Sequence, residues 1–311
     1  MNSSCKIVMY HYVRPLKFTS FPKIKGLEKE NFIRQIEFFK KKFKFITAND
    51  ILDGIYENKT ISSNSILLTF DDGFKDHYNH VFPILKKYDI QGLFFPPGKP
   101  IIEKMVLDVH KIHHILAKAN DLNSLINEIF VFINENKKKF KLKEPEEYFK
   151  DLAIANRFDS KEIIFIKRII QRELPEKTRG LLVNKLFKKF VTKNEMGFSE
   201  QLYLNKDEID EMRDEGMYFG SHTYSHYWLN HLELKKLNFE IKKSVDFCLK
   251  INKNKNTWIM CYPYGGFSKD MIPILQKNGF RAGITTEVGN TVLDKQNCFK
   301  LNRFDTNDFQ Q

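Results

Sequence analysis

The chain has 311 residues, 42% hydrophobic and 14% aromatic, enough to bury one large α/β domain or two smaller ones. Lys and Arg total 51 against 39 acids, a net +12, which admits nucleic acid, anionic lipid or phosphorylated partners. No basic block interleaves with stacking aromatics, which argues against nucleic acid, and no apolar run approaches the ~18 residues of a membrane span.

The cysteines Cys5, Cys248, Cys261 and Cys298 are far apart and form no CxxC pair, as expected of free thiols in a reducing compartment. The N-terminal residues show no basic stretch followed by a long apolar one, so they do not read as a signal peptide. The expectation is a cytoplasmic protein with no transmembrane segment, and with peripheral membrane contact left open.

In chain order, Cys5–Val13 reads as a strand with His11 near its end. Gly26–Phe43 has a helical apolar pattern (Phe32, Ile33, Ile36, Phe39), and Lys44–Ile46 is a short strand. Thr47 caps a helix over Ala48–Tyr56. Ser65–Phe70 is an apolar strand ending in Asp71, Asp72 and Gly73. His77–Tyr88 is a helix and Gln91–Phe95 a strand, closed by Pro96-Pro97-Gly98. This alternation indicates a mostly parallel sheet.

Between about Glu103 and Glu200 the alternation stops. Helices are expected over Val106–Ala119, Leu122–Asn134, Glu146–Asn156, Ser160–Glu173 and Glu176–Val191, with Lys137–Lys143 a solvated basic loop. The division is therefore 1–102 and 200–311 as one α/β body, with 103–199 a helical insertion packed over its rim as a pocket lid. Alternation resumes with helix Lys206–Glu215, strand Met217–Ser221, helix Leu232–Ile251, strand Thr257–Tyr262, helix Ser268–Asn278 and strands Phe280–Thr285 and Phe299–Phe304. There is no internal repeat and no low-complexity segment.

Two adjacent carboxylates at the end of a buried strand repel each other unless something binds one of them. Successive residues of an extended chain point to opposite sides, so Asp71 and Asp72 can face different partners, such as a metal and a proton. The plainer reading is a strand end followed by an Asp-Gly turn. His222 and His226 lie directly after another predicted strand. If that turn is helical they share a face, and with Asp72 as third ligand they make a zinc site with an open position for water. Asp71 can then take a proton from that water. The plainer reading is two ordinary histidines. Both pairs lie at C-terminal strand ends, where parallel α/β sheets and barrels build active sites.

Thr69-Phe70-Asp71-Asp72-Gly73 and Ser221-His222-Thr223-Tyr224-Ser225-His226 resemble the first two motifs of the polysaccharide deacetylases (NodB homology, carbohydrate esterase family 4), and Tyr262-Pro263-Tyr264-Gly265 resembles the third. The resemblance covers roughly Lys6–Gly98 and Glu200–Arg303. It implies a distorted (β/α)7 barrel of the NodB-homology type with an all-helical insertion. It also implies a metal-dependent hydrolase that removes N-acetyl groups from amino sugars. Asp72, His222 and His226 would hold one divalent ion: Zn2+ first, with Co2+, Ni2+ and Fe2+ suited to the same donors. Asp71 would be the general base, and the Tyr264 backbone N–H would help stabilise the oxyanion.

The chain departs from the family pattern twice. No late Leu-x-His-Asp motif supplies the acid histidine. Met9-Tyr10-His11 at the first strand resembles instead the circularly permuted branch, making His11 the general acid; the plainer reading is a buried strand histidine. Cys261 stands where the third motif carries an arginine that orients the base, and Arg303 on the last strand is the candidate substitute.

Further candidates stay open. His110, His113 and His114 are a second metal site or simply a mixed surface and core helix. Lys99 rims the cleft. Trp228 packs an acyl methyl or a sugar ring, or fills core. The expected substrate is an N-acylated amino sugar, nucleotide-linked, lipid-linked or free, in surface-polysaccharide synthesis. The rivals are a non-sugar amide hydrolase and a sugar-binding pseudoenzyme.

Overall fold

The computed structural model describes residues 3–119, 121–155, 160–252 and 258–309. Two compact units divide the chain. One comprises Met1–Pro15, Gly26–Met105 and Ser199–Gln311, the other Leu16–Lys25 and Val106–Phe198. Asn156 and Thr257, the expected ends of a helix and a strand, lie outside the described residues.

The first unit opens with strands β1 (Ser4–Tyr10), β2 (Val13–Arg14) and β3 (Leu27–Glu28), helix α1 (Lys29–Lys42) and strand β4 (Lys44–Phe45). Helix α2 (Ala48–Tyr56) starts where a reciprocal capping box between Thr47 and Asp50 satisfies its first N–H groups. Strand β5 (Ser65–Asp71) is buried along its whole length. A widened turn, His77–Val81, leads into α3 (Phe82–Lys87), then β6 (Gly92–Phe95) and α4 (Gly98–Glu103).

The second unit holds α5 (Asp108–Lys118), α6 (Leu122–Phe140), α7 (Pro145–Leu152), α8 (Lys161–Arg168) and α9 (Glu176–Phe190). Helix α6 runs further than its apolar pattern indicated and takes in Lys137–Phe140, until Lys141 turns left-handed at φ 53°. The expected basic loop is therefore partly helix. Residues 16–25 cluster here too: the Phe21 ring packs edge-on to His114 and Phe198.

Helix α10 (Glu195–Leu202) returns the chain to the first unit, where α11 (Lys206–Asp214), β7 (Tyr218–Phe219), α12 (Leu234–Ile251), β8 (Trp258–Cys261), α13 (Ile272–Lys277), β9 (Phe280–Ile284), β10 (Thr291–Val292) and β11 (Phe304–Asp305) follow. The expected strands at Met217–Ser221 and Phe299–Phe304 shorten to β7 and β11. Ser221 and Leu301 continue the pairing as single bridges. No helix among the described residues is long and apolar enough to cross a membrane.

The pairings form a circuit. β1 pairs β5, β5 pairs β6 and β6 pairs β7, all parallel. Ser221 bridges Met260 of β8, β8 pairs β9, Ile284 of β9 bridges Leu301, and β11 pairs back to β1, again all parallel. This is the expected (β/α)7 barrel. Side-chain alternation sets its two faces. Ile66, Leu68 and Phe70 of β5 join Phe32, Ile36 and Phe39 of α1 and Ile209 and Met212 of α11 in an outer layer. Leu67, Thr69 and Asp71 take the opposite face, toward the interior.

Candidate active site

Asp71 ends β5 pointing inward, and the backbone then turns left-handed at Asp72 (φ 72°) and Gly73 (φ 63°). A Cβ on Gly73 would sit 2.6 Å from Pro96 Cβ, so only glycine fits. Asp71 is buried against Arg303, whose Nη1 donates to its carboxylate at 2.9 Å and to Thr69 Oγ1 at 3.2 Å. Cys261 Sγ–H donates to the same carboxylate at 3.3 Å. Burial alone would push the Asp71 carboxyl up. The Arg303 guanidinium, with His222 and His11 nearby, outweighs that and holds it at about 2. Asp71 is therefore ionised throughout the physiological range.

His222 and His226 converge on Asp72, but not from a helical turn. Thr223 and His226 are left-handed, at φ 63° and 59°, a strained state for a β-branched threonine. The surrounding hydrogen bonds over-determine the loop. Thr223 Oγ1 accepts from His226 N–H, Ser225 N–H donates to the buried Glu240, and the Gly98 and Lys99 N–H groups donate to the Thr223 and Tyr224 carbonyls. His222 Nε2 and His226 Nε2 lie 3.5 and 3.2 Å from Asp72 Oδ1.

The donor set fits a divalent cation. Asp72, His222 and His226 offer one carboxylate oxygen and two ring nitrogens within 4.8 Å of one another, all buried. His222 Nδ1 lies 2.8 Å from the Cys261 carbonyl, which can only accept, so Nδ1 carries the hydrogen and Nε2 presents its lone pair to Asp72. Two lone-pair atoms facing each other in a buried site call for a positive charge between them. Burial alone would lower the His222 pKa, yet the hydrogen bonds to Cys261 and Asp72 and the Asp71 carboxylate raise it well above its ordinary value, so in the absence of a metal ion a proton takes the Nε2 lone pair. Asp71, His222 and Cys261 also lie within ligand distance of one another. That alternative set is the poorer one, since burial pushes the Cys261 thiol up and Asp71 is already held by Arg303.

His11 follows β1. Its neighbour Tyr10 packs outward on Phe32 and Phe70, so the His11 side chain emerges at the barrel mouth, half-exposed, with Nε2 3.9 Å from Asp71 Oδ2. Tyr264, left-handed at φ 57°, stacks on half-exposed Trp228 at 3.7 Å and sets its ring edge-on to His226 at 4.8 Å. Trp228 is thus on the surface beside the site, not in the core. The Lys99 side chain lines a separate cleft with Tyr224, Tyr227 and α12. In the helical unit, His110 and His114 are buried and His114 Nδ1 donates to the His110 carbonyl at 2.8 Å. Among the described residues, the groups with metal-ligand spacing lie in the barrel and include none of these histidines.

Two contributors escaped sequence reasoning. His77 Nε2 donates to the His11 carbonyl at 2.9 Å, fixing the backbone that carries His11. Arg14 Nε donates to buried Asp76 at 2.6 Å while its guanidinium lies over the Tyr12 ring, which itself stacks on Phe74 at 3.9 Å. The one available signal was position: Asp76 and His77 follow the Asp71-Asp72-Gly73 turn within a few residues.

The sequence profile of the polysaccharide deacetylases matches residues 58–128 and 185–283. The chain belongs to the polysaccharide deacetylase family. One curated family relative, YxkH of Bacillus subtilis strain 168, is 21% identical over 264 residues, covering 84% of this chain and 58% of the relative. The poly-β-1,6-N-acetyl-D-glucosamine N-deacetylase of Staphylococcus epidermidis is 31% identical over 122 residues, 35% of this chain and 41% of the relative. The chain thus spans less than two thirds of the length of either. Among solved structures, the Streptococcus pyogenes deacetylase PplD in complex with acetate superposes with a TM-score of 0.59 at 17% identity, covering 98% of this chain and 93% of that one. IcaB from Ammonifex degensii gives 0.57 at 16%, with the same coverage. At these identities the likeness is one of fold, and it agrees with the barrel traced strand by strand.

Proposed function

We propose that this polysaccharide deacetylase family member is a divalent-metal-dependent hydrolase that removes the N-acyl group of an amino sugar. The observation that carries the reading is the convergence of Asp72, His222 and His226 beside an ionised Asp71. A divalent ion held by the three would acidify a water and polarise the acyl carbonyl; zinc is our first choice among ions these donors suit. Asp71, anchored by Arg303 and Cys261, stays charged and so accepts the proton of the attacking water. His11, half-exposed at the barrel mouth with Nε2 3.9 Å from the Asp71 carboxylate, donates the proton with which the amine leaves. The Tyr264 turn supplies a backbone N–H toward the developing oxyanion. Arg303, just before β11, does there what the family arginine does from the third motif. A buried, intact base–guanidinium pair favours catalysis over a pseudoenzyme.

We place the substrate among N-acetylated amino sugars, in keeping with the staphylococcal relative's named activity, and leave the carrier, nucleotide or lipid, to assay. The four cysteines are free and buried, which suits a reducing compartment and a cytoplasmic site of action. We also propose the helical unit as an insertion domain of the barrel.

The test is bound-metal content of wild type and His226→Ala, followed by acetate release from N-acetylglucosamine oligomers. About one ion per chain, lost in the variant, with metal-dependent acetate release, is the expected result. A folded wild type that neither retains nor takes up zinc, cobalt, nickel or iron would end the hydrolase reading. Metal binding with release only from non-sugar amides would keep the chemistry and replace the substrate.

A further inference from the structure

Helix α12 separates its residues cleanly. Leu237, Glu240, Ile241, Ser244, Phe247, Cys248 and Ile251 are buried in the first unit. The outward arc carries Lys235, Lys236, Lys242, Lys243 and Lys250 against a single exposed acid, Asp246. The same arc holds three large apolar side chains in water: Leu234 at 66% exposure, Phe239 at 54% and Leu249 at 41%. Helix α1 offers the comparison. It has Lys40, Lys41 and Lys42 in its last turn, yet none of its large apolar side chains is exposed.

The patch continues off the helix. Lys236 Nζ lies 4.2 Å from the Tyr227 ring centroid, and Lys243 Nζ 5.8 Å from those of Tyr224 and Phe239. Lys99, Tyr224, Tyr227, Lys236, Phe239 and Lys243 line one cleft of about 320 Å3. Its two carboxylates are engaged, Glu103 by the Tyr224 hydroxyl and Glu240 by the Ser225 N–H. Exposed Ile102 joins Tyr224, Lys243 and Lys250 around the adjoining hollow.

Exposed apolar groups interleaved with lysines are costly in water and suited to one kind of surface. The rings and aliphatic side chains enter the headgroup boundary while the ammonium groups meet anionic lipid. A soluble anion would use the lysines but gain nothing from Leu234, Phe239 and Leu249. We propose that the outer face of α12, with Tyr227 and Ile102, is a docking surface for an anionic lipid bilayer. Because Glu240 of α12 holds the Ser225 N–H between the two histidines, docking sets the metal loop at the bilayer edge, where lipid-carried glycans are presented.

The test is co-sedimentation of the full chain with phosphatidylcholine vesicles and with vesicles containing about one third phosphatidylglycerol. Binding is expected to the anionic vesicles alone and to fall at least tenfold between about 0.1 M and about 0.5 M salt. Each exposed lysine should contribute about fivefold, so Lys235→Ala/Lys242→Ala/Lys250→Ala should weaken binding about a hundredfold. Phe239→Ser/Leu249→Ser should weaken it at least about tenfold. The matched change Lys40→Ala/Lys41→Ala/Lys42→Ala on α1 should leave it within about twofold. Circular dichroism shows whether each variant is folded. Five results would overturn the proposal: equal affinity for neutral vesicles; no affinity for either kind; equal loss in the α1 variant, which would mean bulk charge; soluble polyglutamate bound as tightly as vesicles; or a dimer dissolved by Phe239→Ser/Leu249→Ser, which would make a second copy the occupant.

Discussion

His77 gives the sharpest quantitative prediction. Its ring is fully buried among Phe70, Phe74 and Phe94, at centroid distances of 5.6, 5.9 and 5.6 Å. Nε2 must carry the hydrogen, because its partner, the His11 carbonyl, can only accept. Burial lowers the His77 pKa from 6.5 to about 4. The unfolded chain therefore binds a proton between those values that the folded chain does not. The stabilisation is complete above the unfolded pKa and is lost as pH falls toward the folded one. For this shift the loss between about pH 7.5 and about pH 4.5 is about 2.5 kcal/mol. His77→Gln keeps an N–H donor of similar reach and cannot titrate. Urea unfolding of wild type and His77→Gln at both pH values isolates the term, because carboxylates common to both proteins cancel in the difference. The wild type should lose about 2.5 kcal/mol more than the variant on acidification. Parallel pH profiles, within about 0.5 kcal/mol, would refute a neutral buried His77.

Further outcomes follow from the same geometry. Arg303→Met leaves the buried Asp71 carboxylate without its guanidinium and should cost about 3–5 kcal/mol in chemical unfolding, with loss of acetate release. Gly73→Ala forces a Cβ against Pro96 at 2.6 Å and a non-glycine residue at φ +63°; about 2 kcal/mol or more should be lost in the same assay. Chelation of divalent ions should lower the melting temperature of wild type and leave that of His226→Ala unmoved, read by differential scanning fluorimetry.

The site was legible where chemistry is written locally. Asp71, Asp72 and Gly73 are adjacent and end an apolar strand, so both the strand and the turn could be read from neighbours alone. His222 and His226 were legible as a pair but not in shape. A spacing of four suggests a helical face, whereas the loop reaches the same convergence through two left-handed residues held by Ser225, Gly98 and Lys99 contacts. Nothing in a periodicity reports a strained dihedral. The Asp71–Arg303 contact joins residues 232 positions apart, and closure of the barrel, not any local pattern, brings them together. Residues 16–25 have no apolar period; their grouping with the helical unit depends on the Phe21 ring meeting His114 and Phe198. Strands β7 and β11 are short, and single bridges at Ser221 and Leu301 carry the pairing onward. At Gly220 the neighbouring Phe95 ring comes within 2.4 Å of where a side chain would begin.

Those single bridges also make the barrel wall uneven. β1 and β5 are laced along five paired positions, whereas the β8–β9 ribbon joins its neighbours by one bridged pair on each side. It is a stave held by two pegs. One peg is the Ser221–Met260 bridge, in which Ser221 N–H donates to the Ile259 carbonyl and Cys261 N–H donates to the Ser221 carbonyl. The Cys261 carbonyl beyond it is the rest on which the His222 ring leans. Loosening that peg frees the His222 ring to turn while every helix around the barrel keeps its place. Catalytic competence should therefore fade in mild denaturant ahead of helical circular dichroism, and the amides of Ser221 and Cys261 should exchange before those in the middle of β5.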